Sequence, residues 1–344
     1  MAKLALEWAL SRFGLVPSRV EGVSSKPKRS VWRVTTERGV FALKALRMPW
    51  RRVCFVTLAQ VYLRGRCDLV PTLLRAGDGG LFVDDGEFRY LAMEWVQGRS
   101  PDLTAVGDLR QVAASLAGFH RASLGFIAPR GANSRSYLGA WPEVYRREAG
   151  ALEGFRDLAR RRPGPVETTF LKAFDFIAAQ AEVARRLLDE APYRQWCEEV
   201  ASTGRLCHQD FAHGNLVIGP GGVRVFDLDG MAVDLPARDL RKLLNRVFIR
   251  CWGADQGRLA TVLGSYGESQ PLDAGCLKVL RADLTFPHSV YRAARDYFLG
   301  RRSRLPGDRR AGKLRLLLAV ELSKPAVLEA FWRRRFLDSR GRLR

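Results

Sequence analysis

Six side chains that can exchange protons or hold a metal ion lie close together near the middle of the chain. They are His208, Asp210, His213, Asn215, Asp227 and Asp229. Short apolar runs separate them, at residues 206–207, 216–218 and 223–226. Runs of this length, with glycine and proline between the last two, are typical of β-strands joined by a turn. The polar groups therefore lie where short strands end.

The chemistry that these residue types and spacings fit is phosphoryl transfer from ATP. That reaction needs a carboxylate to orient or deprotonate the acceptor hydroxyl, and oxygen ligands for magnesium on the phosphates. The spacing H-x-D-x-x-x-x-N, followed by an aspartate after the next hairpin, provides both in kinase-type sites. Asp210 is the predicted base. His208 is assigned to the same catalytic site, as a residue that hydrogen-bonds the loop backbone beside Asp210. Asn215 and Asp227 are predicted metal ligands, and Asp229, two residues on, is a candidate ligand of a second ion.

Two other interpretations of these residues stay open. His208, Asp210 and His213 could be the metal ligands of a hydrolase, which requires neutral imidazoles that converge on one ion. The aspartates and the asparagine could instead cap turns in a protein without a site. The glycine-rich hairpin that returns Asp227 to the loop is better suited to magnesium with oxygen ligands.

Strands are favoured in the first hundred residues. Residues 31–36 and 40–46 flank a turn that ends in Gly39, a hairpin signal with glycine where a positive φ is expected. Residues 50–64 follow Pro49 and predict a helix. Two further strand-like runs meet at residues 84–86.

Lys44 lies in the second strand of the predicted hairpin. The alternation of that strand places it opposite Phe41 and Leu43, so that it faces a cleft or water. After residue 97 the pattern becomes helical, with a buried stripe between Phe170 and Leu188 at spacings near 3.5. We therefore predict an α+β fold with a β-rich lobe at residues 1–97 and a larger, mainly helical lobe at residues 98–344.

Composition limits the partners. The chain has 344 residues with 57 Lys and Arg against 36 Asp and Glu, a formal charge of +21, and therefore attracts anions. Because the charge is spread along the chain, it argues against a dedicated nucleic-acid surface, although the basic stretch 331–344 keeps that alternative open. The six cysteines form no close pairs, which fits reduced thiols. No uncharged apolar run approaches the roughly 20 residues of a membrane span, so a cytoplasmic protein is expected.

The stretch 206–229 resembles the catalytic segment of aminoglycoside phosphotransferases and choline kinases, the small-molecule branch of the protein-kinase-like fold. This resemblance implies a two-lobed fold, ATP and Mg²⁺. It makes Lys44 the phosphate-binding lysine and residues 93–96 the hinge, where the backbone of Glu94 and Val96 contacts adenine. Ser30 falls in the segment that matches the loop over the phosphates.

More narrowly, the chain resembles the CotS family of spore coat proteins. The segments that carry this resemblance are KPKRSVWRVTTERGVFALK, YLAMEWVQGRSPDL, LAGFHRASLGF, LCHQDFAHGNLVI and VFDLDGMAVDLPARDLRKLLNR, which together span residues 26–246. The implied setting is the mother-cell cytoplasm of a sporulating bacterium, then the spore coat, with other coat proteins as partners.

Two departures from active kinases affect the expected activity. Residues 24–30 contain no glycine, so close approach of the backbone to phosphate is less certain there. No acidic residue occurs between Lys44 and Asp68, so the usual ion pair of the lysine lacks its acid, and Gln60 is the nearest polar substitute. We expect low or altered phosphotransfer rather than none.

The leading hypothesis is a coat-associated protein with an ATP and magnesium cleft that phosphorylates a hydroxyl group. The alternative is a small-molecule kinase without a role in the coat, and a third hypothesis is a nucleic-acid-binding protein. Gln209 stands where protein kinases carry arginine, which argues against a protein as the acceptor.

Overall fold

The computed structural model describes residues 2–300 and 307–336. Its strands are β1 Arg19–Lys26, β2 Arg29–Thr36, β3 Gly39–Leu46, β4 Val83–Asp84, β5 Arg89–Glu94, β6 Leu206–Cys207, β7 Leu216–Gly219, β8 Gly222–Val225 and β9 Ala232–Val233. Its helices are α1 Ala2–Arg12, α2 Trp50–Arg64, α3 Val106–Ala122, α4 Trp141–Arg161, α5 Pro165–Asp189, α6 Tyr193–Thr203, α7 Ala237–Arg250, α8 Gln256–Gly267, α9 Ala274–Thr285, α10 His288–Phe298 and α11 Gly307–Phe336. Of the basic stretch 331–344, which the sequence left open as an anion-binding tail, residues 331–336 form the end of α11, and residues 337–344 lie outside the described residues.

An antiparallel sheet with the strand order β1-β2-β3-β5-β4 occupies the first hundred residues. Its core forms where α1 packs on one sheet face, because Leu10 of the helix and Phe13 just after it cluster with Val34, Leu43 and Ala92 of the strands. The sequence neighbours of these strand residues point to the opposite face of the sheet, because strand side chains alternate with a period of two. The side chains of the other face are therefore free to line a ligand site.

The predicted hairpin and the predicted helix are confirmed. Strands β2 and β3 pair with Thr36 opposite Gly39, and Gly39 has φ +124°, in the region that favours glycine. Helix α2 begins directly after Pro49. Strands β4 and β5 form the second predicted hairpin, although β4 has only two residues.

Strand β1 was missed by the sequence analysis. Its segment, RVEGVSSK, shows no apolar alternation, and most of its side chains are exposed. It is a strand because its backbone pairs with β2, from Arg19 opposite Thr35 to Lys26 opposite Arg29. An edge strand of this kind is held by ladder hydrogen bonds rather than by burial, so its sequence carries little signal.

The chain divides into two compact units that interleave along the sequence. One contains residues 1–101, 118–136 and 203–233, and the other contains residues 102–117, 137–202 and 234–344. This division reflects only which residues lie close together in space. The predicted lobes, residues 1–97 and 98–344, stay a prediction. No helix in the described ranges is long and apolar enough to cross a membrane.

The second unit is helical, and side chains of α4, α5, α10 and α11 pack together in its core. The predicted stripe of α5 is confirmed, since Phe170, Phe174 and Ile177 are buried there. A buried polar network ties the same unit together, because Asp283 accepts hydrogen bonds from Arg241 and Tyr145 and contacts His288. Burial by itself raises the pKa of Asp283, but Arg238, Arg241 and His288 outweigh it and hold that pKa well below its usual range.

Candidate active site

The loop that follows β6 carries His208, Gln209 and Asp210. Gln209 has φ +68°, a left-handed conformation that costs a non-glycine residue energy and persists only where the surroundings impose it. His208 is fully buried and supplies part of that constraint. Asp210 follows the bend and is exposed. The backbone thus turns sharply between a buried imidazole and an accessible carboxylate.

His208 fixes the loop through both ring nitrogens. The backbone N–H of Asp210 donates to Nδ1 at 3.2 Å, and Nε2 lies 3.1 Å from the carbonyl oxygen of Phe226. The first contact requires an unprotonated Nδ1, so the proton is on Nε2 and points to the carbonyl. This arrangement makes His208 a positioning residue for Asp210, in agreement with its predicted bond to the loop backbone.

Asn215 is held directly against Asp210. Its Nδ2 donates to the Asp210 carboxylate at 3.0 Å and to the Asp210 carbonyl at 2.9 Å. Because the carboxylate can only accept, these contacts orient the amide and leave Oδ1 as the outward ligand atom. The backbone carbonyl of Asn215 accepts a hydrogen bond from the N–H of Phe226 at 3.0 Å. This bond joins the loop to the hairpin that carries the aspartates.

Strands β7 and β8 return the chain to the loop. Phe226 and Asp227 follow β8, and Asp227 has φ +64°, a second left-handed non-glycine residue beside the site. Arg52 of α2 fixes the next segment, because its buried guanidinium donates to the carbonyl of Asp229 at 2.8 Å and to that of Met231. The sequence analysis missed Arg52, since a single arginine in a helix gives no signal of what it contacts.

Lys44 reaches both aspartates from β3. Its Nζ donates to Asp227 Oδ1 at 2.8 Å and to Asp229 Oδ1 at 2.6 Å. The side chains of Lys44, Asp227 and Asp229 are 9%, 19% and 20% exposed, so water screens this group only weakly. The predicted lysine and two of the three predicted metal ligands, Asp227 and Asp229, therefore form one ionic cluster.

Arg29 is a site residue that the sequence analysis did not assign. Its Nη1 donates to Asp227 Oδ2 and lies 3.9 Å from Asp229 Oδ2. The signal for it was the basic run KPKR at the β1–β2 turn, in the segment that lacks glycine. The cluster thus pairs two carboxylates with two cations.

The charges of this cluster set the pKa values of its acids. Burial by itself raises the pKa of Asp227, but the Lys44 ammonium and the Arg29 guanidinium outweigh it and hold that pKa well below its usual range. Burial raises the pKa of Asp229, against the effect of Lys44, and the charge of Asp227 raises it further. Asp227 is therefore ionised at neutral pH and is ready to bind a cation.

A cavity of about 630 Å³ opens beside this cluster. Lys44, Asn215, Asp227 and Asp229 line it, and so do Glu94 and Val96 of the predicted hinge. Its volume lies in the range of ligand pockets, which hold drug-sized molecules. The residues predicted for nucleotide and metal are thus brought to one cavity, apart from Ser30.

Ser30 does not line the cavity, because the alternation of β2 places Arg29, Val31 and Arg33 on the cavity side. The basic neighbour Arg29 is there instead. Gln60 lines the cavity but does not contact Lys44, since its Nε2 donates to the carbonyl of Pro71 at 2.8 Å. The acid that α2 lacks is replaced by the aspartates themselves.

The hydrolase interpretation is not supported. Within residues 2–300 and 307–336, the ligand atoms of His208, Asp210 and His213 do not converge within 4.8 Å of one another. The ring nitrogens of His208 are also engaged with the loop and the hairpin. Oxygen ligands around Asp227 remain the better fit to a metal.

The hinge is fixed to the hairpin β7–β8. Glu94 accepts a hydrogen bond from Arg224 of β8 and another from the N–H of Thr72 at 3.1 Å. Burial raises the pKa of Glu94, but these donors outweigh it and the pKa is lowered. The backbones of Arg99 and Ile218 exchange two hydrogen bonds, at 3.1 and 2.8 Å. The cavity wall at the hinge is therefore rigidly connected to the segment that carries Asp227.

Replacing Gly98 with alanine is expected to destabilise the protein by about 1–3 kcal/mol, as overpacking does. A Cβ atom at this position would lie 2.6 Å from the carbonyl oxygen of Ile218, and backbone cannot move away cheaply. Urea unfolding measures the effect. The control is Gly150→Ala in α4, where a Cβ meets nothing within 4 Å and helix propensity predicts a gain of about 0.5–1 kcal/mol. Equal unfolding midpoints for Gly98→Ala and the wild type would refute the tight hinge contact.

Comparison with known proteins identifies relatives of this chain. The model of the phosphotransferase enzyme family (APH) matches residues 57–271. Spore coat protein S of Bacillus subtilis (strain 168) is 30% identical over 307 residues, which cover 89% of this chain and 88% of that protein.

Solved structures share the fold. An aminoglycoside phosphotransferase from Alicyclobacillus acidocaldarius superposes with a TM-score of 0.79 at 18% identity and covers 94% of each chain. Spectinomycin phosphotransferase in complex with ADP and spectinomycin gives a TM-score of 0.62 at 14% identity, with 95% of this chain and 96% of that chain covered. The predicted kinase-like α+β fold is confirmed. By its sequence and its fold, the chain belongs to the phosphotransferase enzyme family, and within that family to the CotS proteins of the spore coat.

Proposed function

We propose that this protein binds ATP and Mg²⁺ in the cavity beside Lys44 and transfers the γ-phosphate to the hydroxyl group of a small molecule, as a component of the spore coat. The observation that carries the proposal is the cluster of Lys44, Asp227 and Asp229 beside the Asp210–Asn215 pair. The cluster and the neighbouring pair together supply a cation for phosphate, candidate metal ligands and a candidate base in one region of the structure.

The donor set fits magnesium. Mg²⁺ prefers hard oxygen ligands and is usually held by one or two carboxylates. The carboxylates of Asp227 and Asp229 and the Oδ1 of Asn215 would hold the ion, since Asp210 already takes the amide nitrogen. When bound, Mg²⁺ neutralises the charge on the phosphate oxygens.

The other residues have roles in binding and proton transfer. Lys44 lines the cavity beside these carboxylates, and its ammonium would bind the nucleotide phosphates. Glu94 and Val96 also line the cavity, and their backbone would bind the adenine. Asp210 is exposed, held by Asn215 and His208, and accepts the proton of the acceptor hydroxyl.

The coat assignment is supported by the relative named spore coat protein S. It implies synthesis in the mother-cell cytoplasm, deposition on the spore and contacts with other coat proteins. The alternative, a small-molecule kinase without a coat role, gives a different result in sporulating cells. A fluorescent fusion of this chain collects on the forespore if it is a coat protein and stays dispersed if it is only a metabolic enzyme.

Nucleotide binding is tested by thermal unfolding with ATP and magnesium. At a concentration of 100 Kd, a ligand that binds only the folded state adds about 2.7 kcal/mol of stability, so the Tm should rise. Asp227→Ala should abolish the rise, because it removes a metal ligand and a partner of Lys44. The matched control is Asp68→Ala, an exposed aspartate that pairs with Arg64 and should leave the rise intact.

Other outcomes would point elsewhere. An unchanged Tm at millimolar ATP and magnesium would favour a kinase-like fold without nucleotide binding. Stabilisation by DNA that disappears at high salt and persists in Asp227→Ala would favour the nucleic-acid alternative. A screen of hydroxyl-bearing metabolites for ATP consumption would identify the acceptor.

A further inference from the structure

Arg29 stands at the point where a glycine-rich loop would approach the phosphates of a nucleotide. It is the first residue of β2, after the turn at Pro27 and Lys28, and its side chain lines the cavity. The turn is attached to the end of β3, because the N–H of Arg47 donates to the Lys28 carbonyl at 2.9 Å. The backbone is therefore anchored, and only the long side chain of Arg29 is free to change partners.

Within the cluster, the two carboxylate oxygens of Asp227 contact different cations. Lys44 holds Oδ1 at 2.8 Å, and Arg29 holds Oδ2. Lys44 also takes Oδ1 of Asp229 at 2.6 Å, and Arg29 lies 3.9 Å from its Oδ2. Two carboxylates are thus matched by two cations, and the cluster is neutral without any metal.

A divalent cation that binds Asp227 would compete with the cations already in this cluster, although each carboxylate oxygen keeps a second lone pair. Both carboxylate oxygens of Asp227 already accept a hydrogen bond, and the charge of the divalent cation would repel the adjacent guanidinium. Lys44 sits deep in the cluster with a side chain that is 9% exposed, whereas that of Arg29 is 28% exposed. Arg29 is therefore the cation that can leave at least cost.

The displaced guanidinium needs an anion, and a nucleotide supplies one. The planar fork of arginine matches phosphate oxygens in a bidentate manner, which a lysine cannot do. Because Arg29 lines the cavity, a phosphate bound there would lie on the side of β2 that its side chain faces. The missing glycines are then compensated by a side chain in place of backbone N–H groups.

We propose that Arg29 acts as an exchangeable counterion, which competes with the divalent metal for Asp227 when no nucleotide is bound and binds the polyphosphate of the nucleotide when the metal is present. The proposal rests on the nucleotide and metal binding proposed above. Its consequence is positive coupling, in which each ligand binds weakly alone and assists the other, by the same factor in both directions.

The experiment measures each ligand separately in wild type and Arg29→Ala by isothermal titration calorimetry. With Mn²⁺ alone as the probe, Arg29→Ala is expected to bind more tightly by about 5- to 150-fold, the usual range of coupling. With ADP in the presence of saturating Mn²⁺, it is expected to bind more weakly by about 10- to 100-fold, the value of a charged hydrogen bond. The two changes have opposite signs, which a general loss of structure cannot produce.

Two further variants keep the test sharp. Arg29→Lys retains the charge without the fork, so its affinity for Mn²⁺ should stay near that of the wild type while ADP binding is weakened. Arg33→Ala removes an equal charge from the same face of β2, where Arg33 pairs with Glu21 at 3.5 Å, and should leave the affinity for Mn²⁺ unchanged. Unfolding midpoints of all variants show whether each protein is folded.

The outcomes separate the two proposals. Equal or weaker Mn²⁺ binding by Arg29→Ala, with Mn²⁺ still bound by the wild type, overturns the role of Arg29 alone. A similar gain in Arg33→Ala also overturns it, because the effect would then be one of overall charge. If neither the wild type nor Arg29→Ala binds Mn²⁺ or ADP, both this role and the proposed function are wrong.

Discussion

Replacing Asp210 with asparagine is expected to lower the rate of ATP turnover by about 10²- to 10⁴-fold with the correct acceptor, the usual contribution of a general base. The substitution keeps the shape of the side chain and removes the group that accepts the proton. Nucleotide binding should change little, because Asp210 is outside the cluster of Lys44, Asp227 and Asp229. Turnover is measured from ADP release, and binding from the Tm with ATP and magnesium.

The control for this substitution is Asp78→Asn, which removes an exposed carboxylate that pairs with Arg12. It should keep both turnover and binding. Turnover by Asp210→Asn at the rate of the wild type would exclude Asp210 as the base. A loss of ATP binding in the same variant would instead mean that Asp210 belongs to the metal site.

Replacing Lys44 with methionine is expected to lower the free energy of unfolding by about 3–5 kcal/mol in the absence of metal, as breaking a buried ion pair does. Methionine fills a similar volume without the charge, so Asp227 and Asp229 are left with Arg29 alone. The variant should also lose the nucleotide-dependent rise in Tm. Urea unfolding with and without Mg²⁺ measures both effects, and Mg²⁺ should restore part of the lost stability.

The pH dependence of this variant has a definite sign. In the wild type, the lowered pKa of Asp227 gives stability above the unfolded value of about 4, and this stability is lost as the pH falls. Without Lys44 the carboxylates repel one another, and their folded pKa values should exceed the unfolded one. Lys44→Met should therefore become more stable from pH 7 to pH 5.

The control for Lys44 is Lys26→Met, which removes an exposed lysine from the same sheet and should change stability by no more than about 0.5 kcal/mol. A loss in Lys44→Met no larger than that of the control would show that the cluster is solvated and contributes little. A double variant, Lys44→Met with Asp229→Asn, should recover stability because it leaves one carboxylate for one guanidinium.

The position of Lys44 bears on activity. In the usual arrangement a helix acid holds the lysine, whereas here the lysine is held by the aspartates that would bind the metal. Under the proposed function, lysine placement and metal binding are therefore linked. Productive geometry would then require metal and nucleotide to bind together, and low or altered activity stays a prediction.

Local pattern was enough to predict much of this protein. Strands β2 and β3 follow from their two-residue period and from Gly39 in the turn between them. Helix α2 follows from Pro49 directly before it. These signals suffice because backbone preferences and burial act over a few residues. The spacing from His208 to Asn215 determines a loop, since Asn215 reaches back only five residues to Asp210. These predictions needed no knowledge of distant contacts.

Only the tertiary structure decided which distant groups meet. Arg29 and Asp227 are 198 positions apart, and Arg52 and Asp229 are separated by 177. Strand β1 is visible only through its pairing with β2, and Gln60 turns to Pro71 instead of Lys44. The physical reason is that a charge takes whichever partner folding brings within a few ångströms, and sequence spacing does not encode that proximity.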